Sequence, residues 1–280
     1  MLVNLSKILQ SAYKNKYAIG AFNITAIETA LAIMQAGEQE SSPIILQASE
    51  KTINYFGLDL TAAIGHTLAA RTTLPVVLHL DHGKNIELAY KAIEIGFSSV
   101  MLDVSSMTLN ERIPTVKKFV EFAHRHKVSV EAEEDVIGGK EDFINGKHPH
   151  FTDPKRAYIF CKETGIDCFA VSIGNRHGKA EQHEQFDLEL LSQINKAVDI
   201  PLVLHGASAT PPNLIKKAIE LGVSKINIDT ELRIAFSESL GEVYQELESI
   251  DPRDQLSETI DAVREIVVKD MRLFGSSNKG

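Results

Sequence analysis

Leu78-His79-Leu80-Asp81-His82-Gly83 ends an apolar run, Leu74 to Leu78, that breaks off abruptly in Asp-His-Gly. The aliphatic residues of the run are consecutive rather than alternating, the pattern of a strand buried on both faces. A buried parallel strand with a carboxylate and an imidazole at its C-terminal tip puts chemistry where α/β folds keep it. Two readings of the tip stand side by side. In one, Asp81 caps a helix starting near Lys84 and His82 is a satisfied core residue. In the other, the pair belongs to a functional site.

Outward from this strand, short apolar runs alternate with longer helical patterns along the whole chain. The strand-like runs are Tyr17–Asn23, Pro43–Ala48, Leu74–Leu80, Ser98–Asp103, Val128–Glu133, Asp167–Ile173, Pro201–His205 and Lys225–Ile228. Between them lie segments of 3.6-residue periodicity, such as Ala26–Gln39, Ile86–Ile95, Leu109–His126, Leu188–Ala197 and Pro212–Leu221. Thr25 followed by Glu28 reads as a capping box, and Gly96 and Gly222 stand where helix C-caps belong. Eight βα units without a composition break predict a (β/α)8 TIM barrel with extra terminal helices, one domain over residues 1–280. A doubly wound sheet is the alternative, but it rarely needs eight strands and no glycine-rich fingerprint is present. Val136–Asp153 is a polar, glycine-containing stretch too long for a plain βα connection and reads as a lid or binding loop. After the eighth strand, Glu231–Glu248 and Leu256–Phe274 read as two long helices.

Composition narrows the function classes. The chain of 280 residues is 44% hydrophobic and 24% charged, an ordinary globular balance. Its net charge of −9 and lack of a basic run argue against nucleic-acid or anionic-membrane partners. Any phosphate site must therefore be built locally. Cys161 and Cys168 suggest neither a disulfide framework nor a metal pattern, and a reducing, cytoplasmic setting is expected. No apolar stretch approaches the roughly 18 residues of a membrane span.

In a barrel the functional test is which residues sit at strand C-termini. Here these are Asn23, Ser49, Asp81 and His82, Asp103, Glu131 and Glu133, His177, His205, and finally Asn227, Asp229 and Thr230. His82, His177 and His205 end strands three, six and seven. Three imidazoles with one open position make a catalytic zinc arrangement. Their spacing matches no local zinc motif, so the inference rests on shared barrel geometry. His79, two positions before Asp81, is expected in the barrel packing or supporting the site. His124, His126, His148 and His150 are read as solvated. Gly178, Gly206-Ala207-Ser208 and Asn227-Ile228-Asp229-Thr230 would offer N–H groups and hydroxyls around one pocket. Loops after strands seven and eight are the usual phosphate cradle of barrels. Glu141, by composition alone, is a solvated loop charge.

YAIGAFN, LHLDHG, VEAE followed by GGKED, GNRHG, LHGAS and NIDTELR occur in this order, with DPR and LFGS near the C-terminus. Jointly they resemble the class II, zinc-dependent ketose-bisphosphate aldolases from Tyr17 to Ser276. The resemblance implies that His82, His177 and His205 hold the catalytic zinc and that Asp81 moves the proton of the C4 hydroxyl. It implies that Glu141 exchanges the proton on the dihydroxyacetone-phosphate carbon. Asp103 and Glu133 match a second metal site of some members. Asn23 and Ser49 match substrate contacts, Ser49 on the aldehyde-phosphate half. Gly178, Gly206, Ala207, Ser208, Asn227, Ile228, Asp229 and Thr230 match the segments around dihydroxyacetone phosphate. A monovalent cation (Na+ or K+) often lies nearby, and a homodimer or homotetramer is implied.

The chain departs from the family pattern at a few positions. Glu134-Asp135 replace the Leu-Gly common after VEAE, adding two charges at the loop's first hinge. Ser106 stands where histidine is common, and Ala209 where the LHG motif commonly continues Ser-Gly. Asp229 and Arg233 resemble the fructose branch rather than the tagatose branch, and Arg233 is expected to pair bidentately with the distal phosphate. Three expectations follow: a fructose-1,6-bisphosphate aldolase, a tagatose-bisphosphate or related ketose-phosphate aldolase, and a non-catalytic sugar-phosphate-binding relative.

Overall fold

The eight apolar runs become the eight strands of a closed parallel barrel, in the spatial order β1-β11-β10-β8-β5-β4-β3-β2. The computed structural model describes residues 1–105, 107–134, 138–141, 144–146, 151–178, 186–208, 210–246 and 250–280, with the side chains at 109, 138–141, 144–146, 177, 245 and 246 outside that description. The barrel strands are β1 (Ile19–Asn23), β2 (Ile44–Ser49), β3 (Val76–Gly83), β4 (Ser99–Leu102), β5 (Ser129–Glu133), β8 (Cys168–Val171), β10 (Leu202–Leu204) and β11 (Val223–Ile228). Helices α1 to α11 run Leu5–Asn15, Ile27–Glu40, Glu50–Phe56, Leu58–Ala70, Ile86–Glu94, Leu109–Arg125, Pro154–Thr164, Leu188–Val198, Pro212–Glu220, Thr230–Glu246 and Pro252–Phe274.

Side chains of a strand alternate between faces, so the odd-numbered residues of β1 to β5 form one inward series. The register aligns Ile45 with Val77, Gln47 with His79 and Ser49 with Asp81 across β2 and β3. The lower inward positions, among them Ile19, Ala21, Ile45, Val77, Met101 and Val203, are apolar and share one cluster with Leu5, Ile8 and Leu9 of α1. Helix α1 thus closes the N-terminal mouth of the barrel. Higher up, the same series becomes polar: Asn23, Gln47, His79, Asp81 and Glu131 are all buried. The even-numbered residues, such as Phe22, Leu46, Leu78 and Val130, pack outward into the larger core beneath the helices.

Helix ends follow the local rules with one exception. Asn85 caps α5 through Leu88 N–H, so Asp81 is not the cap of that helix. Gly96 and Gly222 follow helix ends at φ +103° and +109°, as expected for αL terminators. The expected Thr25/Glu28 box does not form. The backbone stays extended through Ala26, at φ −146° and ψ 167°, and α2 starts one residue later. Thr29 Oγ1 instead accepts from the N–H groups of Thr25 and Ala26 at 3.0 and 3.1 Å.

Within the predicted Val136–Asp153 loop the chain forms β6 (Gly138–Glu141) and β7 (Ile144–Gly146), paired antiparallel. Strand β6 also pairs in parallel with β9 (Arg176–His177). The stretch is therefore not structureless where it is described, and the hairpin is tied to the segment bearing His177. Among the described residues no helix is long and apolar enough to cross a membrane.

The β3–β4 register shifts between Leu80 and Gly83, and His82 adopts φ +46°. A Cβ at Gly83 would lie 2.9 Å from the Met101 carbonyl oxygen on β4. Only glycine lets the strand resume pairing straight after the irregularity. Gly83→Ala is expected to lower stability by about 1–3 kcal/mol, as overpacking against backbone does, read as a lower urea midpoint at unchanged m-value.

Candidate active site

The β3 bulge decides what the tip of that strand presents. Neighbouring residues of a regular strand point to opposite faces, so Asp81 and His82 would diverge. The register shift with left-handed His82 re-aims the ring, the usual service of a bulge at a barrel rim. Asp81, His82 and His205 consequently offer ligand-type atoms all within 4.8 Å of one another. His82 Nε2 faces His205 Nδ1 at 3.0 Å.

Each imidazole has a carboxylate behind it. Asp103 Oδ2 lies 3.6 Å from His82 Nδ1. Glu131 Oε1 accepts a hydrogen bond from His205 Nε2 at 2.8 Å. A carboxylate on the far nitrogen fixes the tautomer and ring orientation of a metal-binding histidine. Burial holds the His205 pKa down to about 4, against the Glu131 hydrogen bond, so the ring is neutral at neutral pH. Burial also opposes charge on His82, yet Asp81, Asp103 and Glu133 raise its pKa to about 10. The surroundings of that ring therefore favour a positive charge, and a neutral imidazole with a divalent cation satisfies the same field. His82, Asp103 and Glu133 form a second group with ligand atoms within 4.8 Å. Burial, then Asp103, pushes the Glu133 carboxyl well above the usual carboxylate range. The donor set fits a divalent metal ion.

The backbone of His177 arrives on β9 opposite Gly139, and Glu141 ends β6 of the same small sheet. The side chains of these two residues lie outside the described part of the structure, as do Ser106, Asp135, His148, His150 and Ala209.

Beside the histidines, Asn23, Gln47, Asp81, Gly178, Gly206, Ser208, Asn227, Asp229 and Thr230 line one pocket. Gly178 and Gly206 have φ of +102° and +63°, conformations that glycine adopts freely. Helix α10 starts at Thr230, so its N-terminal end opens at the pocket, an arrangement suited to an anion. Ala207 and Ile228 belong to the outer core, each between two residues that line the pocket. Ser49 accepts from Thr52 N–H as the N-cap of α3.

The guanidinium of Arg233 meets a carboxylate of its own chain. Its Nε donates to Asp229 Oδ1 at 2.8 Å and its Nη2 lies 2.6 Å from Oδ2. The guanidinium fork expected for a distal phosphate is engaged by a carboxylate one helical turn away. Glu134, the charged departure at the hinge, is buried with its carboxylate 3.1 Å from Arg156 Nε. Arg112 donates to the Glu134 carbonyl and also to the carbonyls of Ser105 and Met107, tying two rim loops together.

Four residues of this neighbourhood escaped the sequence reading as site components. Glu131 was seen only as a strand end; Gln47, Lys225 and Asn175 were not singled out. Gln47, Glu131 and Lys225 sit two positions before Ser49, Glu133 and Asn227, so period-two alternation would have found them. Asn175 carries no such signal. Its side chain accepts from Ile173 N–H and donates to the His205 carbonyl, each at 2.9 Å, fastening the turn after β8 to the end of β10.

A profile of the family described as "Fructose-bisphosphate aldolase class-II" matches residues 3–279. The chain belongs to the class II fructose-bisphosphate aldolase family. This class II aldolase is accordingly a lyase. It is 41% identical to 6-phospho-5-dehydro-2-deoxy-D-gluconate aldolase of Bacillus subtilis, over 99% of this chain and 97% of that one. It is 39% identical to fructose-bisphosphate aldolase of Geobacillus stearothermophilus, over 99% and 98% of the two chains. Among solved structures, the YdjI aldolase of Escherichia coli K12 superposes with a TM-score of 0.89 at 33% identity, covering 100% of this chain and 99% of that one.

Gln47 Nε2 donates to Asn23 Oδ1 at 2.7 Å, which turns the Asn23 amide nitrogen away from Gln47. Gln47→Leu removes that restraint. A rise of about fivefold in KM for the sugar-phosphate substrate is expected, matching the ~1 kcal/mol of one hydrogen bond, checked by steady-state kinetics beside a lowered thermal midpoint, because the buried Asn23 oxygen loses its donor.

Proposed function

We propose that this class II aldolase makes and breaks the C3–C4 bond of fructose 1,6-bisphosphate, yielding dihydroxyacetone phosphate and glyceraldehyde 3-phosphate, and that its metal is zinc. The observation that carries the reading is the facing pair His82 Nε2 and His205 Nδ1, each ring backed by a carboxylate. His177 is assigned as the third ligand on the sequence motif. Zinc bound there supplies Lewis-acid polarisation of the oxygens next to the scissile bond.

The protein's own groups do the rest. Asp81, within reach of His82 and His205 and lining the pocket, takes the C4 hydroxyl proton during cleavage and returns it in condensation. Glu141 is assigned the proton on the dihydroxyacetone-phosphate carbon. The glycine turns at 178 and 206, with Ser208 and the N-terminus of α10, hold the ketone-side phosphate by N–H and hydroxyl donors. A monovalent cation at that end is compatible with the neighbouring carbonyls and Asp229. Asp103 and Glu133 are proposed to accept a second divalent ion beside His82. Lys225 is used in a buried ion pair, and the scheme calls on no lysine Schiff base. We further propose that residues 1–280 act as one catalytic domain and associate as a homodimer or homotetramer.

A second reading is supported by the 41% relative named for 6-phospho-5-dehydro-2-deoxy-D-gluconate and by the engagement of Arg233 with Asp229. That acid, like a ketose bisphosphate, carries a ketone beside its phosphorylated carbon. The same ketone-phosphate pocket serves both, and the two differ at the far end, carboxylate against phosphate. The tagatose alternative differs from fructose only in C4 configuration.

The deciding experiment compares kcat/KM for the three substrates, with and without chelator. Cleavage of fructose 1,6-bisphosphate should dominate, vanish on metal removal, return with zinc, and resist borohydride inactivation. Full turnover after exhaustive metal removal overturns the zinc assignment. A larger kcat/KM on the deoxygluconate or on tagatose bisphosphate overturns the fructose assignment alone.

A further inference from the structure

We infer that Lys225, buried beneath the site, is a positioning residue that orients the metal ligand His205 and the acid/base Asp81 together. The inference deepens the zinc-aldolase reading and rests on it. Lys225 lies on β11 two residues before Asn227, so both side chains point into the barrel. It is wholly buried, and so is the carboxylate it meets: Nζ lies 2.9 Å from Glu131 Oε2, with both side chains at 0% exposure.

An ammonium has three donors and no acceptor, so the identity of its partners fixes their orientation. Nζ donates to Asn227 Oδ1 at 2.7 Å and approaches His79 Nε2 at 3.5 Å. With Glu131, this uses all three protons. Asn227 must therefore turn its oxygen toward Lys225, which leaves Nδ2 facing upward. That nitrogen donates to Asp81 Oδ1 at 3.3 Å and lies at the same distance from His205 Nδ1. With Oε2 held by the lysine, Glu131 accepts at Oε1 from His205 Nε2 at 2.8 Å. The proton of His205 thus sits on Nε2, and Nδ1 keeps its lone pair toward His82. At its lower edge the lysine also selects the His79 tautomer, with Nε2 accepting and Nδ1–H donating to Ser99 Oγ at 2.8 Å.

One cation therefore branches into two arms. Lys225–Glu131–His205 sets which nitrogen of the ligand faces the metal, and Lys225–Asn227–Asp81 sets the donor on the carboxylate that moves the proton. A lysine present only to neutralise Glu131 would leave the amide of Asn227 free to flip and the two arms independent.

The test uses Lys225→Met and the doubly neutral Lys225→Met/Glu131→Gln, because the single change strands a buried carboxylate and the double change does not. Zinc dissociation constants are measured on the full chain by competition with a chromophoric chelator, a readout that requires no catalysis. In the folded variants, zinc binding about 10–100-fold weaker is expected, together with a similar fall in kcat at saturating zinc, as for other groups that orient metal ligands. KM should move less than about threefold, because the effect falls on chemistry rather than on uniform binding. A folded double variant with a lower thermal midpoint but wild-type zinc affinity and kcat overturns the inference, leaving Lys225 as fold support alone. A wild-type chain that binds no zinc overturns the functional reading and this inference with it. A wild-type chain that binds zinc but does not cleave overturns only the function, and the zinc affinities still decide the Lys225–Glu131–His205 arm.

Discussion

The ion pair between Lys225 and Glu131 lies inside a closed barrel, with both side chains wholly buried. Removing either partner leaves a bare charge at the centre, which is far more damaging than the pair is stabilising. Burial alone would raise the Glu131 carboxyl, yet Lys225 and His205 hold it well below the usual carboxylate range. Burial and the same ammonium hold the His79 imidazole down, so it remains neutral. Below this layer the barrel interior is mainly apolar and closed by α1; above it most inward positions are polar, with Ala170 beside Glu133 an apolar one. The pair is the floor on which the site stands.

The division into a sealed lower half and a reactive upper half arises from one rule applied eight times. Inward positions recur every two residues, and the strands are parallel and in register, so each layer around the barrel gathers residues from several distant segments. Asp81, His205 and Asn227 are separated by more than a hundred residues in part, yet their side chains are within hydrogen-bonding range because each tops its own strand. The strain at His82, whose φ is +46°, sits where two consecutive residues must serve the same cavity. Gly83 completes the device by letting β4 approach where a methyl group would meet a carbonyl.

The rim carries its own restraints. Arg112 bridges the loop after β4 to the hinge after β5, and Arg156 holds the Glu134 carboxylate. The two charges that set this chain apart from the family pattern begin with a residue that is buried and paired, not one projecting into the site. Arg233 and Asp229 likewise form a unit. At both places the charged residue has a partner within its own chain.

The sequence by itself determined the eight strands, the helices between them and the residues at the strand tips, because consecutive apolar runs and 3.6-residue periodicity are local signals. It also carried the family motifs and so the chemistry. Tertiary structure alone decided how those tips are aimed. Whether Asp81 and His82 diverge or converge depends on a register shift against β4, a non-local pairing. Whether Asp81 caps a helix depends on Asn85 being one turn nearer to α5. Which nitrogen of His205 faces His82 depends on Glu131, 74 residues earlier in the chain. Glu131 is held in turn by Lys225, which the linear pattern shows only as a charge in a strand. A lysine among aliphatic residues is an anomaly in sequence; the closed barrel supplies the carboxylate, amide and imidazole that account for it.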